Sequence, residues 1–111
     1  MPENENQFDI AVIGGGPGGY PAAIRAAQSG LKVALIEAKE MGGTCLNRGC
    51  IPSKALIACA EVYDRIKDAA EFGIKVEKVS FDYGFMVKRK DRVVGKIRQG
   101  LESLIASNKI K

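Results

Sequence analysis

A cluster of five glycines in six residues, directly after a short apolar run, constrains this chain more than any other feature. The apolar run is residues 8–13, and the cluster is residues 14–19. Within the cluster, Gly14, Gly16 and Gly19 have the spacing G-x-G-x-x-G. At a strand-to-helix turn, the first of these glycines permits the tight turn, the second lets the backbone approach a pyrophosphate, and the third allows close helix–strand packing. The cluster therefore predicts a dinucleotide-binding turn between a buried strand and a helix.

The residues that follow complete the pattern of a β-α-β unit. Residues 17–29 carry apolar side chains at helical spacing, and Gly30 lies where a glycine cap ends a helix. Residues 31–36 form a second apolar run that leads into Glu37. An acid about twenty residues after the glycines accepts hydrogen bonds from a ribose 2′-OH and argues against a 2′-phosphate. We therefore predict that Glu37 and the three glycines bind a dinucleotide, and this pattern does not distinguish FAD from NAD.

The predicted fold class is α/β, with the chain forming the N-terminal portion of a doubly wound, Rossmann-like parallel sheet. Such a sheet uses about five or six strands, and only two strong strand patterns occur here. Residues 41–50 have the glycine and asparagine content of a loop. Helical patterns follow at residues 56–70, ended by Gly73, and at residues 85–105, and residues 109–111 resemble the start of a further strand. We therefore expect this chain to be part of a larger protein.

Composition and charge exclude several other classes of protein. Hydrophobic residues make up 46% of the chain and charged residues 27%, which is typical of a globular, soluble protein. No apolar run approaches the roughly 20 residues that a membrane span needs. The net charge of +4 comes without a nucleic-acid recognition motif. The polar, acidic N-terminus, residues 1–6, is not a secretory signal, so we expect a cytoplasmic protein.

Cys45 and Cys50, separated by four residues, have three possible roles. A zinc site would need two further ligands, and the chain offers only Cys59 and no histidine; we therefore predict no metal. A structural disulfide across so short a loop would stabilise the fold by only about 2 kcal/mol, and cytoplasmic proteins rarely use such cross-links. A pair that cycles between dithiol and disulfide fits better.

The spacing of the two cysteines predicts a break in the backbone between them. Residues five apart in an unbroken helix have Cα atoms about 8.7 Å apart, and a disulfide spans at most about 7 Å. Gly49 supplies the backbone freedom for such a break, and Pro52 suits the first turn of a following helix. Cys50 is therefore expected near a helix N-terminus, where the helix dipole favours a thiolate.

The segment from Gly42 to Lys54, Gly-Gly-Thr-Cys-Leu-Asn-Arg-Gly-Cys-Ile-Pro-Ser-Lys, resembles the active-site segment of the pyridine nucleotide-disulfide oxidoreductases. Leu46 together with Ile-Pro-Ser-Lys at residues 51–54 is similar to the dihydrolipoamide dehydrogenase branch of that family. Glutathione and trypanothione reductases usually carry Val-Pro-Lys-Lys, whereas mercuric reductases share Pro-Ser-Lys. Arg48 departs from the family pattern, in which valine is more usual, and adds a cation near the cysteines without removing a reacting group.

The resemblance implies that residues 1–111 are the N-terminal part of an FAD-binding domain. The implied FAD contacts come from the glycine cluster and four further residues: Gly14, Gly16, Gly19, Glu37, Gly43, Thr44 and Lys54. Lys54 would approach the flavin ring, where a cation stabilises developing negative charge. Cys45 would be the thiol that exchanges with the substrate disulfide, and Cys50 the charge-transfer thiol against the flavin.

The resemblance also implies a reaction and partners. This branch of the family oxidises dihydrolipoyl groups, carried on the lipoyl domains of 2-oxoacid dehydrogenase complexes, and uses NAD, bound outside this chain, as the final acceptor. Its catalytic base is a histidine donated by the partner subunit of a homodimer, and this chain contains no histidine. We therefore expect the isolated chain to have no turnover and to bind FAD weakly.

Two alternatives to this function stay open. The first is another disulfide reductase, or a mercuric reductase, of the same family. The second is a non-catalytic dinucleotide-binding module that uses the cysteine pair as a redox sensor. Outside these motifs, Cys59 is interpreted as a small core residue and the charged run at residues 88–92 as a solvated helix face.

Overall fold

The computed structural model describes residues 4–111, which begin with a β-α-β unit. Strand β1 (Ile10–Ile13) pairs in parallel with strand β2 (Val33–Ile36), in a register that places Ile10 beside Val33. Helix α1 (Gly19–Gln28) connects the two strands. The predicted β-α-β unit is therefore confirmed, although α1 begins two residues later than the predicted start at Pro17 because the glycine cluster forms the turn.

The end of α1 has the capping geometry that its sequence predicts. Gly30 has a φ of 87°, a left-handed conformation that costs glycine no steric energy. The Gly30 N–H donates to the Ala27 carbonyl at 3.0 Å, and the Leu31 N–H donates to the Ala26 carbonyl at 3.2 Å. These two bonds satisfy carbonyls that a helix end leaves without partners, so the chain turns sharply into β2.

The last residue of the chain lies beside β2 on the edge opposite to β1. The Lys111 N–H donates to the Val33 carbonyl at 3.1 Å, and the Lys111 carbonyl accepts from the Leu35 N–H at 2.6 Å. On the other edge, the carbonyls of Lys32 and Ile36 accept hydrogen bonds from the β1 side. Lys111 thus pairs with β2 where the sequence predicts the start of a further strand, although the sheet within residues 4–111 contains only β1 and β2. β2 lies between β1 and Lys111, as in the first half of a doubly wound sheet.

Three helices follow the second strand. They are a short helix α2 (Gly43–Arg48), a long helix α3 (Cys50–Lys67) and a longer helix α4 (Tyr83–Ser107). A single 3-10 turn at Ala69–Phe72 follows α3. The prediction that residues 41–50 form a loop is wrong, because most of them are helical in α2.

Helix α4 runs antiparallel to α3, and both helices have clear boundaries. Gly73, with a φ of 75°, ends the 3-10 turn as the sequence predicts. Asp82 caps the start of α4, since its carboxylate accepts a 3.0 Å hydrogen bond from the Phe85 N–H. Near this end Phe81 packs edge-on against Tyr63 of α3, with ring centroids 5.6 Å apart.

The hydrophobic core lies between the sheet, α1, α2 and the second half of α4. Its buried members are Ala23, Val33, Leu35, Leu46, Val94, Leu101, Ile105 and Ile110. The paired α3 and α4 extend beyond this core, so the described chain measures 75 × 25 × 18 Å. Among residues 4–111, no helix combines the length and apolar character needed to cross a membrane.

Candidate functional site: a glycine turn beside a cysteine pair

The first and third glycines of the fingerprint are packed against each other. Gly14 has a φ of 103°, and its N–H donates to the Ile36 carbonyl at 2.7 Å, which forms the predicted tight turn. A Cβ on Gly19 would overlap the Gly14 carbonyl oxygen and lie 2.8 Å from the carbonyl carbon. Helix α1 therefore approaches β1 more closely than any side chain at position 19 would allow.

Glu37 is held against the glycine cluster by its own hydrogen bonds. Its Oε2 accepts from the Gly15 N–H at 2.7 Å, and its Oε1 accepts from the Lys39 N–H at 3.1 Å. These backbone donors, with Gly15 the largest cause, lower the pKa of the Glu37 carboxyl below its ordinary value. Glu37 is therefore an anion at neutral pH, and each carboxylate oxygen can accept a further hydrogen bond, such as one from a ribose hydroxyl.

The glycine cluster directly contacts the start of α2. A Cβ on Gly43 would lie 2.7 Å from the Gly16 Cα, and the Gly42 N–H donates to the Gly15 carbonyl at 2.8 Å. Gly42 and Gly43 have φ values of 102° and 67°, conformations that favour glycine. The structure thus brings Gly43 and the exposed Thr44 to the fingerprint turn.

The geometry of the turn fits the pyrophosphate of a dinucleotide. The Gly16 N–H forms no hydrogen bond within residues 4–111. A Cβ on Gly16 would have only the Gly43 Cα within 4 Å, at 3.8 Å, so the space beside Gly16 is open. The ten-residue helix α1 begins three residues later and adds the partial positive charge of its N-terminus.

The backbone is interrupted between the two cysteines, as their spacing predicts. Gly49 separates α2 from α3 with φ and ψ values of −127° and −109°, which are not helical. A Cβ on Gly49 would lie 3.2 Å from the Cys45 Cα and 3.1 Å from the Thr44 carbonyl oxygen. A side chain at position 49 would therefore push α2 away from the start of α3, where Cys50 is the first residue.

The two cysteines are free thiols that interact with each other. A hydrogen bond to the Cys50 side chain is the main reason that the pKa of the Cys45 thiol is raised, and desolvation adds to it. The charge of Lys54, one turn along α3, acts weakly in the opposite direction. Cys45 is therefore protonated at neutral pH, and the chain contains no histidine that could remove its proton.

Asn47 organises the segment around the cysteines, and sequence reasoning missed it. Its Nδ2 donates to the Met41 carbonyl and to the Gly43 carbonyl, both at 3.0 Å. Its Oδ1 accepts from Nη1 of Arg98 on α4 at 2.9 Å. An asparagine inside a glycine-rich segment is a detectable signal for such a role, whereas nothing in the sequence around Arg98 indicates this contact.

Arg48 and Cys59 make structural contacts. The Arg48 guanidinium donates to the Glu40 carboxylate at 2.7 Å, and it is the main reason that the pKa of Glu40 is lowered. The cation that Arg48 adds near the cysteines is thus paired, and both side chains are about half exposed, at 45% and 47%. Cys59 is half-buried, and its Sγ lies 3.5 Å from the Ala55 carbonyl oxygen.

A β-α-β unit whose glycine turn packs against the start of the cysteine-containing helix α2 has the architecture of an α/β dinucleotide-binding domain. The sequence model of the pyridine nucleotide-disulphide oxidoreductases matches residues 8–111. The chain belongs to this family of flavoprotein oxidoreductases, and the resemblance of its cysteine segment is confirmed.

Several proteins named dihydrolipoyl dehydrogenase are similar in sequence to this chain. The protein from Chlamydia trachomatis is 67% identical over 103 residues, which cover 93% of this chain and 22% of the relative. Those from Chlorobaculum parvum and Bacillus subtilis are 50% and 48% identical, and the matches cover 95% and 94% of this chain and 22% of each relative. The chain therefore spans about a fifth of the length of these relatives.

Proposed function

We propose that this chain is the N-terminal part of the FAD-binding domain of a flavin-dependent disulfide oxidoreductase that oxidises dihydrolipoyl groups, with NAD as the final acceptor. Relatives at 48–67% identity that are named dihydrolipoyl dehydrogenase support the substrate. The observation that carries the chemistry is the packing of Gly43, two residues before Cys45, against Gly16. A nucleotide held by the glycine cluster therefore lies beside the cysteine segment.

The FAD contacts follow from the positions of the residues around the turn. Gly16, whose N–H forms no hydrogen bond within residues 4–111, would face the pyrophosphate, and Gly14 and Gly19 would form the tight turn and the close helix packing that place it there. Glu37 would accept a hydrogen bond from the adenosine ribose. The contact would continue along the start of α2 and α3 through three residues: Gly43, Thr44 and Lys54. Bound there, FAD would supply a two-electron acceptor between the cysteine pair and NAD.

The cysteine pair would carry the substrate half of the reaction. In the oxidised protein, Cys45 and Cys50 form a disulfide. A substrate thiolate attacks Sγ of Cys45, which forms a mixed disulfide and releases Cys50 as a thiolate at the N-terminus of α3, where the helix dipole stabilises it. The second substrate sulfur then attacks the first, closes the lipoyl disulfide and releases Cys45. Two electrons pass from the substrate to the cysteine pair. Of the two substrate protons, one is taken up by the Cys45 sulfur as it is released and the other by a base, while Cys50 stays a thiolate.

The attack on Cys45 requires a base that removes the proton of the substrate thiol, and we propose that this base comes from outside the chain. A protonated thiol cannot act as a nucleophile, and the chain has no histidine. We propose that a histidine from the partner subunit of a homodimer supplies this base. The isolated 111-residue chain should then show no NADH-dependent reduction of lipoamide and only weak FAD binding, and measurable turnover by that chain would contradict this part of the proposal.

The substrate can be tested by comparing three oxidants with the complete protein and NADH: lipoamide, glutathione disulfide and mercuric ion. The proposal predicts a clear preference for lipoamide, loss of this activity in Cys45→Ser, and its retention in Cys59→Ser, whose sulfur lies outside the pair. A preference for glutathione disulfide or mercuric ion would favour another reductase of the family. Loss of every activity together with the absence of bound flavin would favour a redox-sensing module.

We further propose that the protein works in the cytoplasm on the lipoyl domains of 2-oxoacid dehydrogenase complexes. Sedimentation of the complete protein, alone and with a lipoylated domain, tests both partners. A dimer that oxidises the reduced lipoylated domain supports the proposal, and a monomer that oxidises only free thiols contradicts it.

A further inference from the structure

We propose that Arg98 is a positioning residue for the Cys45–Cys50 pair and that it acts through the side chain of Asn47. The inference rests on the proposed function, because it assigns Arg98 a role in the redox cycle of those two cysteines. Arg98 belongs to α4 and is separated from Asn47 by 51 residues. It contacts neither cysteine through a hydrogen bond within residues 4–111.

The hydrogen-bond chemistry of the two side chains gives Arg98 its effect. A guanidinium is only a donor, so it can bind only the carbonyl oxygen of the Asn47 amide. This contact, at 2.9 Å, turns the amide nitrogen of Asn47 toward the carbonyls of Met41 and Gly43, which it meets at 3.0 Å each. If the amide rotated by half a turn, its oxygen would face two carbonyl oxygens. Arg98 therefore selects the one orientation that binds the α2 backbone.

The bound backbone is the part of the chain that positions Cys45. Helix α2 has only six residues, too few to be stable by itself. The Asn47 side chain, near the end of α2, donates a hydrogen bond to the Gly43 carbonyl at its beginning. Cys45 lies between these two points and cannot shift without breaking the contacts. Helix α4, which carries Arg98, is anchored in the core by the buried side chains of Val94 and Leu101. Arg98 thus connects Cys45 to a rigid element.

The consequence concerns the equilibrium between dithiol and disulfide. Closing the disulfide requires the Cα atoms of Cys45 and Cys50 to stay within a narrow range of distance. Without Arg98, α2 in the dithiol form would sample positions outside that range, and ordering it again would make the disulfide less favourable. The loss of one net hydrogen bond corresponds to a change of about fivefold in an equilibrium constant.

The test measures the thiol–disulfide equilibrium of the complete, flavin-containing protein in glutathione redox buffers, with the two cysteines trapped by alkylation and quantified by mass spectrometry. In this exchange, two protein thiols and one glutathione disulfide become one protein disulfide and two glutathione thiols. We expect the constant for disulfide formation to fall about fivefold in Arg98→Met. Arg98→Lys, which keeps a cationic donor, should restore part of the loss. Arg92→Met is the matched control on the same helix, since Arg92 faces the Phe85 ring, and it should leave the constant unchanged.

A second arm separates this role from a general effect on the fold. Because Arg98 acts through Asn47, the change Arg98→Met should have no further effect in an Asn47→Ala background. An unchanged constant in Arg98→Met, or an equal fall in the Asn47→Ala background, would overturn the inference. If the wild-type protein never forms the Cys45–Cys50 disulfide, the proposed function itself fails, so the two failures are distinguishable.

Discussion

Replacing Gly19 with alanine tests the close packing of α1 against β1, on which the proposed binding of a dinucleotide depends. The new Cβ would overlap the Gly14 carbonyl oxygen and lie 2.8 Å from its carbon, against 3.4 Å or more for ordinary contact. Gly14 cannot move away, because its N–H holds the Ile36 carbonyl at 2.7 Å. Overpacking of this kind costs about 1–3 kcal/mol. The upper half of that range, about 2–3 kcal/mol, applies because the new Cβ collides with backbone atoms, which cannot rotate away as a side chain can. Alanine recovers about 0.5–1 kcal/mol through its helix propensity, so a net cost of about 1–2.5 kcal/mol remains.

This net cost should appear in the affinity for FAD. The FAD-free protein can relieve the overlap by moving α1 away from β1, whereas bound FAD needs the closed arrangement. Gly19→Ala should therefore weaken FAD binding by about 5- to 70-fold, measured by flavin fluorescence titration of the FAD-free complete protein. The control is Gly18→Ala, one residue earlier, where a Cβ meets nothing within 4 Å and the expected change is below about 0.5 kcal/mol. Equal affinities for the two variants would refute the packing argument.

Three further predictions concern charge, helix stability and thiol reactivity. Two backbone N–H groups lower the pKa of Glu37 below 4.5, so its contribution to stability is present above pH 4.5 and is lost as the pH falls through the lowered pKa. The denaturant midpoint of Glu37→Gln should therefore fall less over that pH range than the midpoint of the wild type. Parallel curves of midpoint against pH would contradict this. Gly95 and Gly100 lie inside α4, and a Cβ at either position meets nothing within 4 Å. Gly95→Ala and Gly100→Ala should each raise the free energy of unfolding by about 0.5–1 kcal/mol. A lowered thermal midpoint in either variant would contradict the helical structure of this segment. Because Cys50 raises the pKa of Cys45, Cys50→Ala should shift the alkylation of Cys45 by iodoacetamide to lower pH, and an unchanged pH profile would exclude that cause.

The β-α-β unit could be predicted because its determinants are local. The apolar runs of β1 and β2, the glycine turn and the Gly30 cap each depend on residues adjacent in the chain. The break at Gly49 was predictable for a different reason, since the fixed geometry of a helix excludes a disulfide between residues five apart. These features need no knowledge of distant residues.

Helix α2 could not be predicted, because distant contacts stabilise it. Its glycine-rich sequence is typical of a loop, and its six residues gain their stability from the burial of Leu46 and from the hydrogen bonds of Asn47. One partner of Asn47, Arg98, is separated from it by 51 residues, and nothing in the sequence around Arg98 indicates this contact. The sequence thus predicts which cysteines react, whereas the contacts of Asn47 and Arg98 are visible only in the three-dimensional structure.

The most direct test of the central claim is the absorbance of the complete protein during anaerobic reduction by two electrons. We predict a flavin spectrum that gains a long-wavelength charge-transfer band, because the Cys50 thiolate would then lie against the oxidised flavin. In Cys45→Ser the band should be present before any reduction, and in Cys50→Ser it should never form. Reduction that bleaches the flavin without this band, or a band that persists in Cys50→Ser, would contradict the claim that these cysteines exchange electrons with FAD.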